Sequence, residues 1–233
     1  MLAGVAGTPA DVAVAIDGPM GSGKSTVARE LARRLRFRYV DTGAMYRAVA
    51  VVAIRRGVDP DDPAAVAALA RTITLTLPLS LDGTPGVAVD GEDVTPDLRS
   101  VEVNQIVAKI ARVPEVRTVL GALQRSLATG GRVVMEGRDI GSVILPQAKI
   151  KVFLTASPET RAQRRQQELA AAGTPRPLSE VRRILEEDDR IASTRQLAPL
   201  RLAEGAVVID STDLSVDQVV AQIAALVNQA RGL

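Results

Sequence analysis

The sequence predicts an α/β fold, with helices packed on a parallel sheet built from βαβ units. Three observations carry that expectation. Short β-branched runs alternate with helical periods along most of the chain. A glycine-rich segment, Gly18 to Gly23, separates one such run from an amphipathic stretch. After Asp59 the texture changes, and apolar and polar residues alternate singly.

Val12 to Ile16 is a β-branched run that reads as a buried strand. Lys24 to Leu35 follows as a helix, with Val27, Leu31 and Leu35 on one stripe. Phe37 to Val40 is a second strand, and Met45 to Arg56 a second helix stopped by Gly57. An insertion is expected from Asp59 to about residue 112. In it Ile73, Leu75 and Leu77 alternate with threonines, and Val87 and Val89 precede the turn residues Asp90-Gly91. That pattern marks an antiparallel ribbon with one wet face, extending to about Arg99. Arg132 to Met135 and Ile150 to Leu154 return to the strand pattern.

Ser157-Pro158-Glu159 opens a helix with a cap, a first-turn proline and an early acid. Gly173 to Pro177 breaks it, and a highly charged helix runs from Ser179 to about Arg190. Val207 to Ile209 is the last strand. Ser215 and Gln218 form a capping box for a final helix to about Ala230. No internal repeat occurs.

Composition narrows the chemistry. With 233 residues, 46% of them hydrophobic, the chain supports one domain with insertions and a substantial core. Aromatics make up 2%, too few for the stacking platforms of a single-strand nucleic-acid binder. The 29 basic and 27 acidic residues leave a net charge of +2, which is no nucleic-acid footprint. Cysteine and histidine are both absent, excluding disulfides, thiolate metal sites and Ser-His triads. Chemistry therefore falls to carboxylates, Lys, Arg, hydroxyls and backbone groups. No segment reaches the roughly 18 apolar residues of a membrane span. Residues 1–10 are small and lack a basic start, so a flexible leader on a cytoplasmic protein is expected.

Gly18-Pro19-Met20-Gly21-Ser22-Gly23-Lys24-Ser25 matches G-x-x-x-x-G-K-S, with Thr26 completing the turn into the helix. Glycines let the backbone wrap a phosphate, and the helix beginning at Lys24 adds its positive dipole end. Lys24 brings a point charge to the β and γ phosphates, and the Ser25 hydroxyl can ligate Mg²⁺. The alternative, an empty strand-to-helix turn, is disfavoured by the correct flanks on both sides. No N-K-x-D segment follows, which argues against a GTPase.

Asp41-Thr42-Gly43-Ala44-Met45-Tyr46-Arg47 lies just past the second strand, where open α/β sheets place ligands. Glu136-Gly137-Arg138-Asp139 follows a later strand in the same way. Arg161, Arg164 and Arg165 share one region of the Ser157 helix, and Arg195 follows the charged helix. Each has a plainer alternative. Arginines on a helix can be solvated charge, Arg138 and Asp139 an ion pair under a loop, and Glu136 a cap or salt-bridge partner.

VAIDGPMGSGKSTVA, DTGAMYRAV, GEDVT, EGRDIGSVILP and VFLTASPETRAQRR occur in the order and spacing of bacterial cytidylate kinases, which the chain resembles from about Val12 onward. The resemblance implies a P-loop NTPase fold with five parallel strands, a monophosphate-binding insertion and an arginine-rich helical lid at about 160–195. It implies Asp41, Thr42 and Arg47 as contacts to CMP, with Thr42 and Arg47 on its phosphate. Arg117 and Asp139 match cytosine-reading positions, and Arg138 a phosphate contact. Arg161, Arg164 and Arg165 match lid arginines, Arg195 lies near the phosphates, and Glu136 is a candidate for Mg²⁺ through water. The implied reaction takes ATP, Mg²⁺ and CMP or dCMP. A monomer is expected, since a moving lid and insertion leave little free surface, and composition points to no nucleic-acid or membrane partner.

Three positions depart from the family pattern. Ala108 stands for a serine beside the base, Asp188 for a lid arginine, and Ala192 for an aspartate near the sugar. Weaker CMP binding or looser base choice is the expectation. A kinase for UMP or another small molecule and a non-catalytic ATP-binding module remain as alternatives.

Overall fold

The computed structural model describes residues 12–78, 86–194 and 197–232. The expected leader, residues 1–10, and Arg195 lie outside them. In chain order the elements begin with β1 (Ala13–Asp17), α1 (Lys24–Leu35), β2 (Arg38–Asp41) and α2 (Thr42–Arg55). Next come α3 (Pro63–Thr72), β3 (Leu75–Thr76), β4 (Ala88–Val89), β5 (Glu92–Asp93), α4 (Val101–Ile110) and α5 (Pro114–Leu127). The remainder is β6 (Val133–Gly137), β7 (Ile150–Thr155), α6 (Pro158–Ala171), α7 (Leu178–Thr194), β8 (Val207–Asp210) and α8 (Val216–Arg231). They fall into two compact units, one ending at Tyr39 and resuming at Ala128, the other Val40–Leu127.

The first unit carries the five-stranded sheet, in the order β2-β6-β1-β7-β8. The pairings of β1 with β6 and β7, and of β7 with β8, are parallel. Central strands are covered on both faces, which is why they read as solid apolar runs. Val14 and Ile16 pack with Leu31 of α1, Leu154 of β7 and Ile223 of α8 in one core. A smaller apolar cluster joins Ala162 of α6 to Val181 and Leu185 of α7, with Met20 against it. The capping box forms as read: Gln218 N–H donates to Ser215 Oγ at 3.2 Å, and Ser215 N–H to Gln218 Oε1 at 2.8 Å. The charged helix runs to Thr194, beyond the expected Arg190. No helix among the described residues is long and apolar enough to cross a membrane.

The second unit is mainly helical. Its α2 begins at Thr42 rather than Met45, because the Asp41 carboxylate accepts from Ala44 N–H at 2.9 Å and starts the turn early. The expected antiparallel ribbon is present as β3, β4 and β5, each two residues long. Asp90 and Gly91 make its turn with φ of 52° and 85°, the left-handed pair that a tight hairpin requires. Arg55 pairs with Glu92 and Asp97, and Arg56 with Asp90, tying the ribbon to the end of α2. Three helices that the sequence reading did not identify, α3, α4 and α5, complete this unit, α2 packing on α4 and α3 on α5.

Candidate active site

The phosphate loop leaves the C-terminal end of β1 and enters α1 at Lys24. Gly18 lies so close to β7 that a Cβ there would sit 2.0 Å from the Leu154 carbonyl oxygen, so no side chain fits. Arg161 Nη1 donates to Met20 O at 3.1 Å, fixing the loop's middle from α6. Lys24 Nζ donates to Pro19 O at 2.8 Å. Desolvation of the ammonium, then the neighbouring Arg138 cation, pushes its pKa down to about 8, while Glu136, Asp188 and Asp17 oppose the shift.

Strand β6 delivers the acidic side of this site. Its register sets Glu136 beside Ile16 and Gly137 beside Asp17. Glu136 is buried and accepts from the Tyr39 hydroxyl at 3.0 Å. Asp17 accepts from the Ile140 and Gly141 amides, both at 2.7 Å, at the start of a π-helical turn over Ile140–Ile144. Burial raises the Asp17 pKa to about 6, against the lowering effect of those two amides. The carboxylate thereby anchors the segment that carries Arg138 and Asp139.

The arginines fall into distinct settings. Arg138 Nη2 pairs with Asp188 at 2.7 Å. Arg161 is buried and pairs with Asp189 at 2.7 Å. Arg164 donates to Ser211 Oγ at 2.9 Å and Ser211 O at 2.7 Å, so it is no free solvated charge. Arg165 pairs with Glu168 on its own helix at 2.9 Å. A cavity of about 250 Å³ opens beside the loop, lined by Ser22, Thr26, Arg164, Ser211, Leu214 and Val219.

In the second unit, Asp41 caps α2 and Thr42 is buried. A Cβ on Gly43 would stand 2.9 Å from Arg47 Nη1, so the glycine makes room for that guanidinium. Arg117 of α5 lies over the Tyr46 ring, 5.5 Å from its centroid, and donates to Ala111 O at 3.2 Å.

A family model described as cytidylate kinase matches residues 14–229. The chain belongs to the cytidylate kinase family. It is 51% identical over 218 residues to the cytidylate kinase of Pelotomaculum thermopropionicum, spanning 94% of this chain and 96% of that protein. It is 45% identical over 221 residues to the cytidylate kinase of Mycobacterium avium, spanning 94% and 96%. Among solved structures, an uncharacterized protein from Eubacterium ventriosum superposes with a TM-score of 0.50 at 13% identity, covering 94% of this chain and 99% of that one. That last likeness concerns the fold alone.

Within this cytidylate kinase fold, the first unit brings the charges of Glu136 and Arg138 to act on Lys24, and Arg161 of α6 bonds to the same loop at Met20 O. Asp188, which stands where the family pattern has a lid arginine, pairs with Arg138. Ala192 is buried, and its carbonyl accepts from Leu200 N–H at 2.8 Å. Sequence reading missed three participants. Asp17 stands immediately before the loop, a position that itself signals proximity to phosphate. Ser211 and Asp189 carry no local signal, since their partners lie 47 and 28 residues away.

Proposed function

We propose that this chain transfers the γ-phosphoryl group of ATP to CMP and dCMP, giving ADP and the corresponding diphosphate. The observation that carries the reading is the phosphate loop with Lys24 beside Arg138 and Glu136, in a chain matched to the family over residues 14–229. Residues Gly18 to Thr26 wrap the ATP phosphates, and the neighbouring cavity takes the rest of that nucleotide. Thr42 and Arg47, with Asp41 fixing their helix, are assigned to the CMP phosphate together with Arg138. Arg117 and Asp139 are assigned to the cytosine, Asp139 accepting from its 4-amino group. Arg138, Arg161, Arg165 and Arg195 neutralise the transferring group.

The Ser25 hydroxyl and the buried Glu136 carboxylate are hard oxygen donors of the kind Mg²⁺ takes. When bound, the ion neutralises charge on the β and γ phosphates. The attacking oxygen of CMP is already anionic at neutral pH, so a chain without histidine needs no strong base. Residues at about 160–195 act as a lid that excludes water, and those at about 59–112 as the monophosphate-binding insertion. We assign the enzyme to the cytoplasm as a monomer.

The test is ADP formation from ATP and Mg²⁺ with CMP, dCMP, UMP, AMP or shikimate. Turnover is expected to be highest with CMP and dCMP. ATP binding without turnover on any acceptor would turn the assignment to a non-catalytic module.

A further inference from the structure

We propose that Asp188 is an internal rival of the nucleotide's phosphate: its carboxylate holds Arg138 in the nucleotide-free protein and releases it when phosphate arrives. The inference rests on the assignment of Arg138 to phosphate.

Carboxylate and phosphate compete for the same guanidinium edge, because each offers paired oxygens to its fork of N–H donors. Arg138 Nη2 meets Asp188 at 2.7 Å, and the two side chains are only 22% and 26% exposed, so water screens the pair less than a surface one. The opposite corner of the fork, Arg138 Nη1, is buried with no hydrogen-bond partner among the described residues. The guanidinium is thus half satisfied, with one donor on a carboxylate and one in reserve. Asp188 is also among the charges felt by Lys24.

The next residue shows the contrast. Asp189 holds Arg161, but that arginine is 9% exposed and also donates to the loop's own backbone at Met20 O. Arg161 is a tie that keeps the loop in shape. Arg138 makes no such bond to the loop among those described, so the Asp188 pair is the one that can yield. A phosphate that takes the fork of Arg138, with Nη2 as one of its two donors, must first separate a carboxylate from it, and nucleotide affinity falls accordingly. Asp188 is a positioning residue: it presents the guanidinium near the loop and sets how tightly phosphate is then held.

Asp188→Asn keeps the shape and one acceptor oxygen while removing the charge. CMP binding by calorimetry is expected to tighten about three- to tenfold, with KM for CMP falling in step. Glu186→Gln makes the same change of charge at an exposed position of the same helix and should move neither by more than about twofold. An unchanged or weakened CMP affinity in Asp188→Asn overturns the proposal. Should that protein melt early, Asp188→Ser carries the same expectation with a smaller side chain. In an Arg138→Ala background the gain from Asp188→Asn should vanish; an equal gain there would show a general field effect and overturn the rivalry. Arg138→Ala alone checks the underlying assignment. If it binds CMP as the unaltered chain does, Arg138 is no ligand of the CMP phosphate, whatever Asp188→Asn does.

Discussion

The two units place their charged groups by different means. In the first, backbone geometry does the positioning: Asp17 and Glu136 stand at the ends of parallel strands, and Lys24 at the first turn of a helix. In the second, Arg47 and Arg117 project from the middle and the first turn of helices and are steered by their neighbours, a glycine gap and a tyrosine ring. The strand end at Asp17 is buried and the helix start at Lys24 half-buried, so charges there feel strong desolvation, as their shifted pKa values show. Groups carried on helix faces depend on side-chain packing. The first unit should therefore answer to changes of charge, and the second to changes in helix construction.

Three experiments sharpen that contrast. Lys24→Ala removes the cation of the phosphate loop and should lower turnover by about 10²- to 10³-fold with the melting temperature nearly unchanged. A loss of less than tenfold in steady-state rate would remove Lys24 from the transfer step.

Asp17→Asn probes the buried charge through pH. The folded-state pKa of about 6 lies above the ordinary 3.8, so the folded protein binds the proton more tightly. That contribution is full below about pH 4 and is lost as pH rises through 6. Relative to the asparagine variant, the unaltered chain should lose about 3 kcal/mol of stability between pH 4 and pH 7. Parallel urea-unfolding profiles for the two proteins at both pH values would disprove it.

Asp62→Ala is the smallest of the three. Asp62 caps α3 by accepting from Ala64 and Ala65 N–H at 2.9 and 3.0 Å. Its loss should cost about 1 kcal/mol in chemical denaturation and leave kcat unaltered. A fall in kcat would show that the second unit's helices do more than hold side chains in place.

The same contrast decides what was legible in the sequence. The sheet of the first unit could be read because doubly covered strands leave unbroken apolar runs, and the loop because its glycines and Lys24 form a contiguous pattern. Helix α4 was hidden because Val101 and Val103 alternate with polar residues like a strand, and only Ser100, which caps Val103 N–H, hints otherwise. Helix α3 did show its start signal, Asp62-Pro63, next to the threonine alternation that drew the eye. The partner of Arg138 was beyond reading, since 50 residues separate it from Asp188 and no spacing rule links them. Nor does any local pattern foretell the π-helical turn at Ile140–Ile144, which owes its place to a carboxylate on another strand.

The chain has no tryptophan and two tyrosines, and they fall one to each unit. Tyr39 lies beneath Arg29, 5.7 Å from the cation, with its hydroxyl on Glu136, while Tyr46 lies beneath Arg117. Ultraviolet emission from this protein is thus the sum of two phenols, each touching a group assigned to a different ligand. With Tyr39→Phe or Tyr46→Phe, one lamp is switched off, and occupancy at Glu136 or at Arg117 can be followed separately without attaching any dye.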